Sequence, residues 1–507
     1  MSLKDQQSLD FVIAGGGTAG WIAAALLARF SPPGTRVQLV ESEAIGTVGV
    51  GEATIPQIHL LNNALGLDER DFLRETKATF KLGIEFDGWQ REGHAYMHAF
   101  GQVGRGAGLL PFQQYWLRAQ QLGLAKPLKH YSLNETAARG LKMQRGRRTP
   151  QSLEMPYAYH FDAGLYASYL RRYSELRGVT RHEGMIARVE CDGESGEIAA
   201  LVLDDDRRIE GRFFIDCTGF RALLIDGALE AGFDDWSNVL PCNRAMAVPC
   251  ATGGDFTPYT CSIARKAGWQ WRIPLQHRIG NGYVYCSDHL SDEEAAETLL
   301  ANLDGKALGD PKPIKFTTGK RRKHWHRNCL ALGLAAGFLE PLESTSIHLI
   351  QSAMSRFLTV LPKGAGDPAI VDHFNTQADF EWERIRDFLV LHYWANEREG
   401  DPFWDGVRNM ELPATLQRKI EQWQSAGFIH REHEELFTEV GWFQVLAGQG
   451  VEARSYNPAA DSLSEDELKA LLADTETAIS AEVRQMPDHA PFLRSYMMQN
   501  MPQGVPA

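Results

Sequence analysis

FVIA at residues 11–14 is an unbroken apolar run. Apolar residues without polar alternation predict a strand buried on both faces, as in parallel sheets. WIAAALLARF at residues 21–30 is rich in Ala and Leu and predicts a helix; residues 37–40 are apolar again and predict the next strand. This order makes a βαβ opening. The string YHFDAGLYASYLRRY, from about Tyr157, has helical spacing; residues 185–215 alternate in short strands, and residues 240–290 repeat that β character. Residues 85–150 mix aromatics, glycines and a basic run at 145–148, and read as an insertion with long loops. Beyond His348 the pattern turns helical, and Ser464-x-x-Glu467 ahead of an apolar run predicts a capping box. No internal repeat interrupts this order. The pattern predicts an α/β (α+β) chain. Residues 1–360 form a discontinuous nucleotide-binding domain with an inserted mixed sheet, and residues 361–507 form a helical substrate-binding region.

Between the first strand and helix stands GGGTAG, with Gly15, Gly17 and Gly20 at G-x-G-x-x-G spacing and Thr18 and Ala19 inside it. Glycines there allow a tight turn and a close approach of pyrophosphate, while the helix N-terminus favours anionic charge. Glu41 ends the second strand, twenty-one residues after Gly20, where a ribose-binding acid belongs. The motif alone does not separate FAD from NAD. FFIDCTG, ending at Gly219, resembles the strand that returns to the nucleotide in FAD-dependent monooxygenases. LALGLAAG, containing Leu334 and Gly337, resembles a segment carrying flavin contacts to a helix start.

Composition narrows the class. With 507 residues, 44% hydrophobic and 23% charged, the chain can bury a large core. A net charge of −13 disfavours nucleic acid and anionic membranes as partners. The seven cysteines show no CxxC spacing, and the N-terminus lacks an apolar signal core, so a cytoplasmic location is expected. No apolar run reaches membrane-spanning length.

Candidate chemistry lies elsewhere. Lys81 is flanked by Phe80, Leu82 and Ile84, surroundings that disfavour its charged form. Most lysines instead keep the ammonium in water. Glu343 precedes Ser344, Thr345 and Ser346, and reads as an acid near a helix start whose N–H groups favour an anion. Trp269 and Trp271, at i and i+2, would share one strand face as an apolar wall. GVGEATIP, with Gly49 and Ala53, reads as a loop. His430-x-x-His433 suggests no third ligand and is discounted as a metal site, so no metal is expected. KRRKHWHR at residues 320–327 reads as a solvated charge run.

FK-x-G-I around Lys81, W-x-W-x-I-P at residues 269–274, GVGEATIP and FLEPLEST together resemble the flavin-dependent halogenases of the tryptophan halogenase family, over residues 15 to about 458. The resemblance implies an FAD-binding, Rossmann-like three-layer fold. It implies FAD contacts at Gly15, Gly17, Thr18, Ala19, Gly20, Glu41, Gly49, Ala53, Gly219, Leu334 and Gly337, although many members carry an acid or amide where Leu334 stands. FADH2 supplied by a separate flavin reductase, O2 and a halide would give hypohalous acid, relayed to Lys81 and Glu343 as catalytic residues. Halide is expected on Ser344, Thr345 and Ser346, the last often Gly in the family. His98 and Phe100, in the family's H-x-F-G segment, would sandwich an electron-rich aromatic substrate, with Phe403, Trp404, Trp442 and Phe443 as further pocket aromatics. The expected reaction is bromination or chlorination of an indole. The resemblance leaves room for a homodimer. An aromatic monooxygenase on the same fold and a non-catalytic flavin-binding protein stand as alternatives.

Overall fold

The computed structural model describes residues 9–45, 51–146, 152–254 and 256–498. These divide into two compact units, each built from three segments of chain. The first is Met1–Lys77, Phe161–Asn243 and Lys315–Glu383; the second is Ala78–His160, Arg244–Ile314 and Arg384–Ala507. The boundary expected at residue 360 falls within the third segment of the first unit.

The first unit is organised by a six-stranded sheet. Its order is Trp325–His326, Cys329–Ala331, Phe213–Asp216, Asp10–Ala14, Arg36–Glu41 and Thr180–Glu183. The central strand Asp10–Ala14 is parallel to both neighbours, with Phe11 opposite Phe213 on one side and Val37 on the other. Phe11, Val12, Ile13 and Ala14 are wholly buried, which is why that run shows no alternation. The helix Thr18–Phe30 leaves the first strand and packs against the helices Ala163–Glu175 and Ser346–Leu358. The expected βαβ opening and Rossmann-like α/β class are thus present.

In the second unit, the strands Arg244–Cys250, Ile279–Tyr285, Gly268–Pro274, Thr260–Arg265, Gly83–Asp87 and Ala95–Ala99 lie side by side in that order. All neighbours are antiparallel except Thr260–Arg265 with Gly83–Asp87. Helices of the C-terminal segment, among them Ala414–Ala426, Glu439–Gly448, Glu465–Val483 and His489–Met498, belong to this unit. The capping box forms as expected: Glu467 N–H donates to Ser464 Oγ at 3.3 Å, and Ser464 N–H donates to Glu467 Oε2 at 2.7 Å.

Residues 85–150 carry the expected long loops, among them 100–111, and set between them the strand Ala95–Ala99 and the helices Phe112–Gln121 and Leu133–Arg139. Two expectations need correction. The string from Tyr157 begins as a strand, Ala158–Asp162, and becomes helical only at Ala163; Asp162 is the N-cap, accepting from Leu165 N–H at 3.1 Å. The basic run is solvated only in part: Arg322, Lys323 and Arg327 are exposed, but the rest is not. Lys320, Arg321, His324 and Trp325 are all buried. Lys320 pairs with Asp234 at 3.2 Å and Asp379 at 2.6 Å, and Arg321 with Asp226 at 2.6 Å. Carboxylates distant in sequence make the burial of these cations tolerable.

Candidate functional site

The glycine loop of the first unit meets the requirements of a dinucleotide. Gly15 has φ +108°, and a Cβ there would overlap the Cys217 carbonyl oxygen. A Cβ at Gly20 would overlap the Gly15 carbonyl oxygen, so the helix can start only with glycine at that contact. Around Gly17 a Cβ would meet nothing within 4 Å. Gly17 is also the N-cap of Thr18–Phe30, and no side chain caps that helix end. Thr18 and Ala19 form its first turn. Open space before an uncapped helix N-terminus of thirteen residues suits a phosphate group. The residues present therefore fit the nucleotide.

Glu41 is more heavily engaged than its position predicts. Its Oε2 accepts from Trp21 Nε1 at 3.3 Å, and its Oε1 is paired with Arg181 and, at 3.6 Å, Arg171. Gly16, absent from the expected set, is glycine because a Cβ there would fall on the Glu41 carboxylate. Asp216 is fully buried and organises the turn before Gly219. Its Oδ1 accepts from Thr218 N and Oγ1, at 2.9 and 2.6 Å, and its Oδ2 from Leu224 N and Ile225 N, each at 2.9 Å. Gly219 itself has φ +70° with open space where its Cβ would be.

Leu334 lies in the 3-10 turn Gly333–Ala335, and a Cβ on Gly333 would come within 2.9 Å of Ala19 Cβ. That turn therefore touches the start of the nucleotide helix. Gly337 is hemmed in by Lys320 Cα and Trp382, at 2.7 and 2.9 Å from a built Cβ. Packing alone accounts for that glycine. Ala53 ends the short strand Gly51–Ala53 and is buried; Gly49 lies outside the described residues.

Glu343 closes a 3-10 turn, Pro341–Glu343, and is 1% exposed. Ser344 takes the left-handed conformation at φ +60°, Thr345 is the N-cap of Ser346–Leu358, and that helix end has no side-chain cap. Ser344 and Thr345 are buried; Ser346 is half-buried.

In the second unit, Lys81 ends the three-residue strand Thr79–Lys81 and is completely buried, as are Phe80, Leu82 and Ile84. Its Nζ lies 5.5 Å from the ring centroid of Phe100. The strand pairs antiparallel with Ala158–Asp162, setting Lys81 opposite Ala158 and Thr79 opposite His160. Gly83 must be small, since a Cβ would come within 2.8 Å of Ala99 Cα on the neighbouring strand. His160 is held at both nitrogens, by Thr79 Oγ1 at 3.1 Å and Thr260 Oγ1 at 2.9 Å. Thr79 Oγ1 donates to Pro274 O at 2.7 Å, so it accepts from His160 Nδ1–H; in the neutral ring Nε2 then accepts from the Thr260 hydroxyl. Burial first, then the nearby Lys81 charge, holds His160 well below the usual imidazole range.

The strand Gly268–Pro274 carries the signature tryptophans on one face, with ring centroids 6.2 Å apart. Trp271 lies over Gly282, and its buried Nε1 has no partner among the described residues. His98 stands beside Phe388 at 5.4 Å and Phe437 at 6.0 Å. Trp442 joins them through Phe388, at 4.8 Å, and its buried Nε1 is likewise without a partner among the described residues. Gln444 clamps that helix to the His98 strand, accepting from Ala99 N at 3.1 Å and donating to Ala99 O at 3.0 Å. Phe403 and Trp404 sit in a different cluster, around Tyr393 and Trp89; Trp404 Nε1 donates to Arg265 O at 2.8 Å. Phe443 faces Trp116 and Trp423 instead of His98.

The tryptophan halogenase family model matches residues 10–465. The chain belongs to the tryptophan halogenase family. Among the relatives of this halogenase is the tryptophan 6-halogenase of Streptomyces toxytricini, 35% identical over 440 residues, covering 82% of this chain and 83% of that protein. Two solved structures of flavin-dependent halogenases match at a TM-score of 0.93. That from Xanthomonas campestris is 45% identical and covers 98% of this chain and 99% of its own. That from Brevundimonas sp. BAL3 is 42% identical, with coverage of 97% and 99%. This member of the tryptophan halogenase family is thus an enzyme of the flavin-dependent halogenase type. No helix among its described residues is long and apolar enough to cross a membrane.

Several residues that touch the expected positions leave no local mark in the sequence. Arg171 and Arg181 beside Glu41, His160 beside Thr79, and Phe388 and Phe437 beside His98 belong to no short motif.

Proposed function

We propose that this halogenase transfers electrophilic halogen to a neutral indole. The carrying observation is the wholly buried Lys81 with its Nζ 5.5 Å from the Phe100 ring. Gly15, Gly17, Thr18, Ala19 and Gly20 would hold the FAD pyrophosphate, and Gly219 and Leu334 would line its further course. Reduced FAD, delivered by a separate reductase, supplies oxidised halogen from O2 and halide when bound. Ser344, Thr345 and Ser346 offer the halide a buried helix start. Lys81 presents the halogen to the ring, as hydrogen-bond donor or as haloamine. Glu343 takes the ring proton once the C–halogen bond has formed, which is general-base and electrostatic work.

The C-terminal segment supports this substrate class. Residues 441–458 offer aromatics, glycines and alanines, their charged residues Glu452 and Arg454 are exposed, and they hold no Tyr-Tyr pair to clasp a carboxylate. Burying a zwitterion against such a surface leaves charges poorly paired, which costs several kcal/mol. A neutral indole loses little solvation and gains ring contacts with His98, Phe100 and Trp442.

The test is product analysis of an indole panel with bromide, FAD and a flavin reductase. Indole should give kcat/KM at least equal to that of L-tryptophan, with halogen on the pyrrole carbon. Lys81→Ala should lose product while FADH2 oxidation continues. A hydroxylated, halide-independent product would instead establish a monooxygenase. Regiospecific benzo-ring halogenation of tryptophan, at clearly higher kcat/KM, would overturn the indole assignment.

A further inference from the structure

The strand that carries Lys81 has only three residues and, among the described residues of its unit, one strand neighbour, Ala158–Asp162. Successive residues of a strand point their backbone groups to opposite edges. Phe80 therefore offers its N–H to the side away from Thr79 and Lys81, at an edge where a buried donor would be costly to leave unmade. A side chain, not a strand, takes it. Phe80 N–H donates to His489 Nε2 at 3.3 Å.

His489 is arranged to accept that bond. It starts the C-terminal helix His489–Met498 and is 1% exposed. Its Nδ1 lies 3.1 Å from the carbonyl oxygen of Phe256, which can only accept. Nδ1 must then carry the proton, leaving Nε2 as a lone pair aimed at Phe80. The helix is anchored independently: His489 N–H donates to Leu141 O at 2.8 Å, Lys142 pairs with Asp488 at 2.7 Å, and Arg494 donates to Gly254 O at 3.1 Å. Phe492 and Tyr496 stand against the Phe80 ring at 5.8 and 6.2 Å. Leu82, on the far side of Lys81, is fixed by its own N–H to Pro258 O at 2.7 Å and by Phe100 N–H to its carbonyl at 2.8 Å. The peptide on the N-terminal side has His489 as its counterpart.

We propose that His489 is a positioning residue for Lys81, and that the C-terminal helix, which lies beyond the family match ending at residue 465, belongs to the machinery of halogen transfer. This rests on the role given to Lys81 above. Holding Phe80 fixes the Cα of the next residue, and a displacement near 1 Å at a reacting group lowers rate by about 10²-fold. Oxidant formation does not depend on this contact, so a loosened strand should waste oxidant rather than stop its production.

Two substitutions separate positioning from packing. His489→Asn keeps an N–H for Phe256 but has no acceptor reaching Phe80; His489→Gln keeps an acceptor at the Nε2 end. Hydrogen–deuterium exchange of the peptide spanning residues 79–82 should quicken in the Asn variant and stay near wild type in the Gln variant. With bromide, reductase and indole, the Asn variant should lose about ten- to a hundredfold in product formed per FADH2 oxidised. Its FADH2 oxidation rate should stay within twofold of wild type, and Gln should recover most of the coupling. Equal coupling in Asn, Gln and wild type would overturn the proposal, as would equal loss in both variants or unchanged exchange at 79–82. If the Asn variant does not fold, a Gln variant without wild-type exchange at 79–82 also overturns it. Changed exchange with no halogenation by the wild type would leave the clamp standing and remove the proposed function instead.

Discussion

At the scale of single residues, the glycines of the nucleotide loop have distinct physical duties and should fail differently. Gly17 has φ −73° and open space at its Cβ position, so alanine fits its backbone. Replacing glycine at a compatible position narrows the unfolded ensemble and stabilises by about 0.4–1 kcal/mol. Gly17→Ala should therefore leave the thermal midpoint of the flavin-free protein unchanged or slightly raised, while flavin affinity falls because the methyl occupies the pyrophosphate's approach. Gly20→Ala puts its Cβ onto Gly15 O, and overpacking of that kind costs roughly 1–3 kcal/mol before any ligand is added. Melting curves and flavin titrations of the two variants give the comparison; a Gly17→Ala protein with wild-type flavin affinity would refute the reading of that space. The motif residues were legible because their spacing is local. Their partners were not: Glu41 meets Arg171 and Arg181, and Lys81's strand meets His160 and His489, all brought in by the fold from distant parts of the chain.

At the scale of elements, long apolar runs and helical periods were readable, while short pieces under tertiary control were not. Thr79–Lys81 and Ala158–Asp162 are too short to announce a period, and YHFD is a strand because it pairs with TFK. The basic run reads as solvent-facing until Asp226, Asp234 and Asp379 are placed against it, since no local pattern signals a remote carboxylate. The helix Ser346–Leu358 supports a prediction of its own. Its N-terminus is buried and uncapped, so a halide there must shed water. Bromide is less tightly hydrated than chloride and more readily oxidised, and Ser346 adds a side chain where the family often has none. In direct competition at equal concentrations, brominated product should exceed chlorinated product. Equal or faster chlorination, measured by mass spectrometry of one reaction mixture, would count against the halide being taken there.

At the scale of the whole molecule, buried neutral imidazoles set how the fold responds to acid. His160, His324 and His489 are all buried, and burial is the first cause of the depression in each: His324 falls to about 3, His489 to about 4, and His160 lies well below its usual range. In the unfolded chain each titrates near 6.5. Between pH 7 and 5 the unfolded state therefore binds protons that the folded state refuses, so stability rises with pH across that window and is lost on acidification. Each such histidine costs about 2 kcal/mol over those two units. Glu381, held near 2 by His348 and Arg356 against its own burial, changes charge only at lower pH and adds nothing in the window. Glu135 and Glu435, raised by burial, act in the opposite sense, each against the pull of a basic partner, Arg139 and Lys419. The histidines win because these three are so deeply buried, and because the partners held by the ring nitrogens of His160 and His489 are hydroxyl and backbone groups, not carboxylates that would favour the charged ring. The thermal midpoint should accordingly fall by several degrees from pH 7 to pH 5. His324→Gln, which deletes one titrating ring from beside Trp382, should show a smaller fall over the same interval, whatever its absolute midpoint. A variant whose fall matches the wild type would show that His324 is protonated in the folded protein as readily as in the unfolded chain.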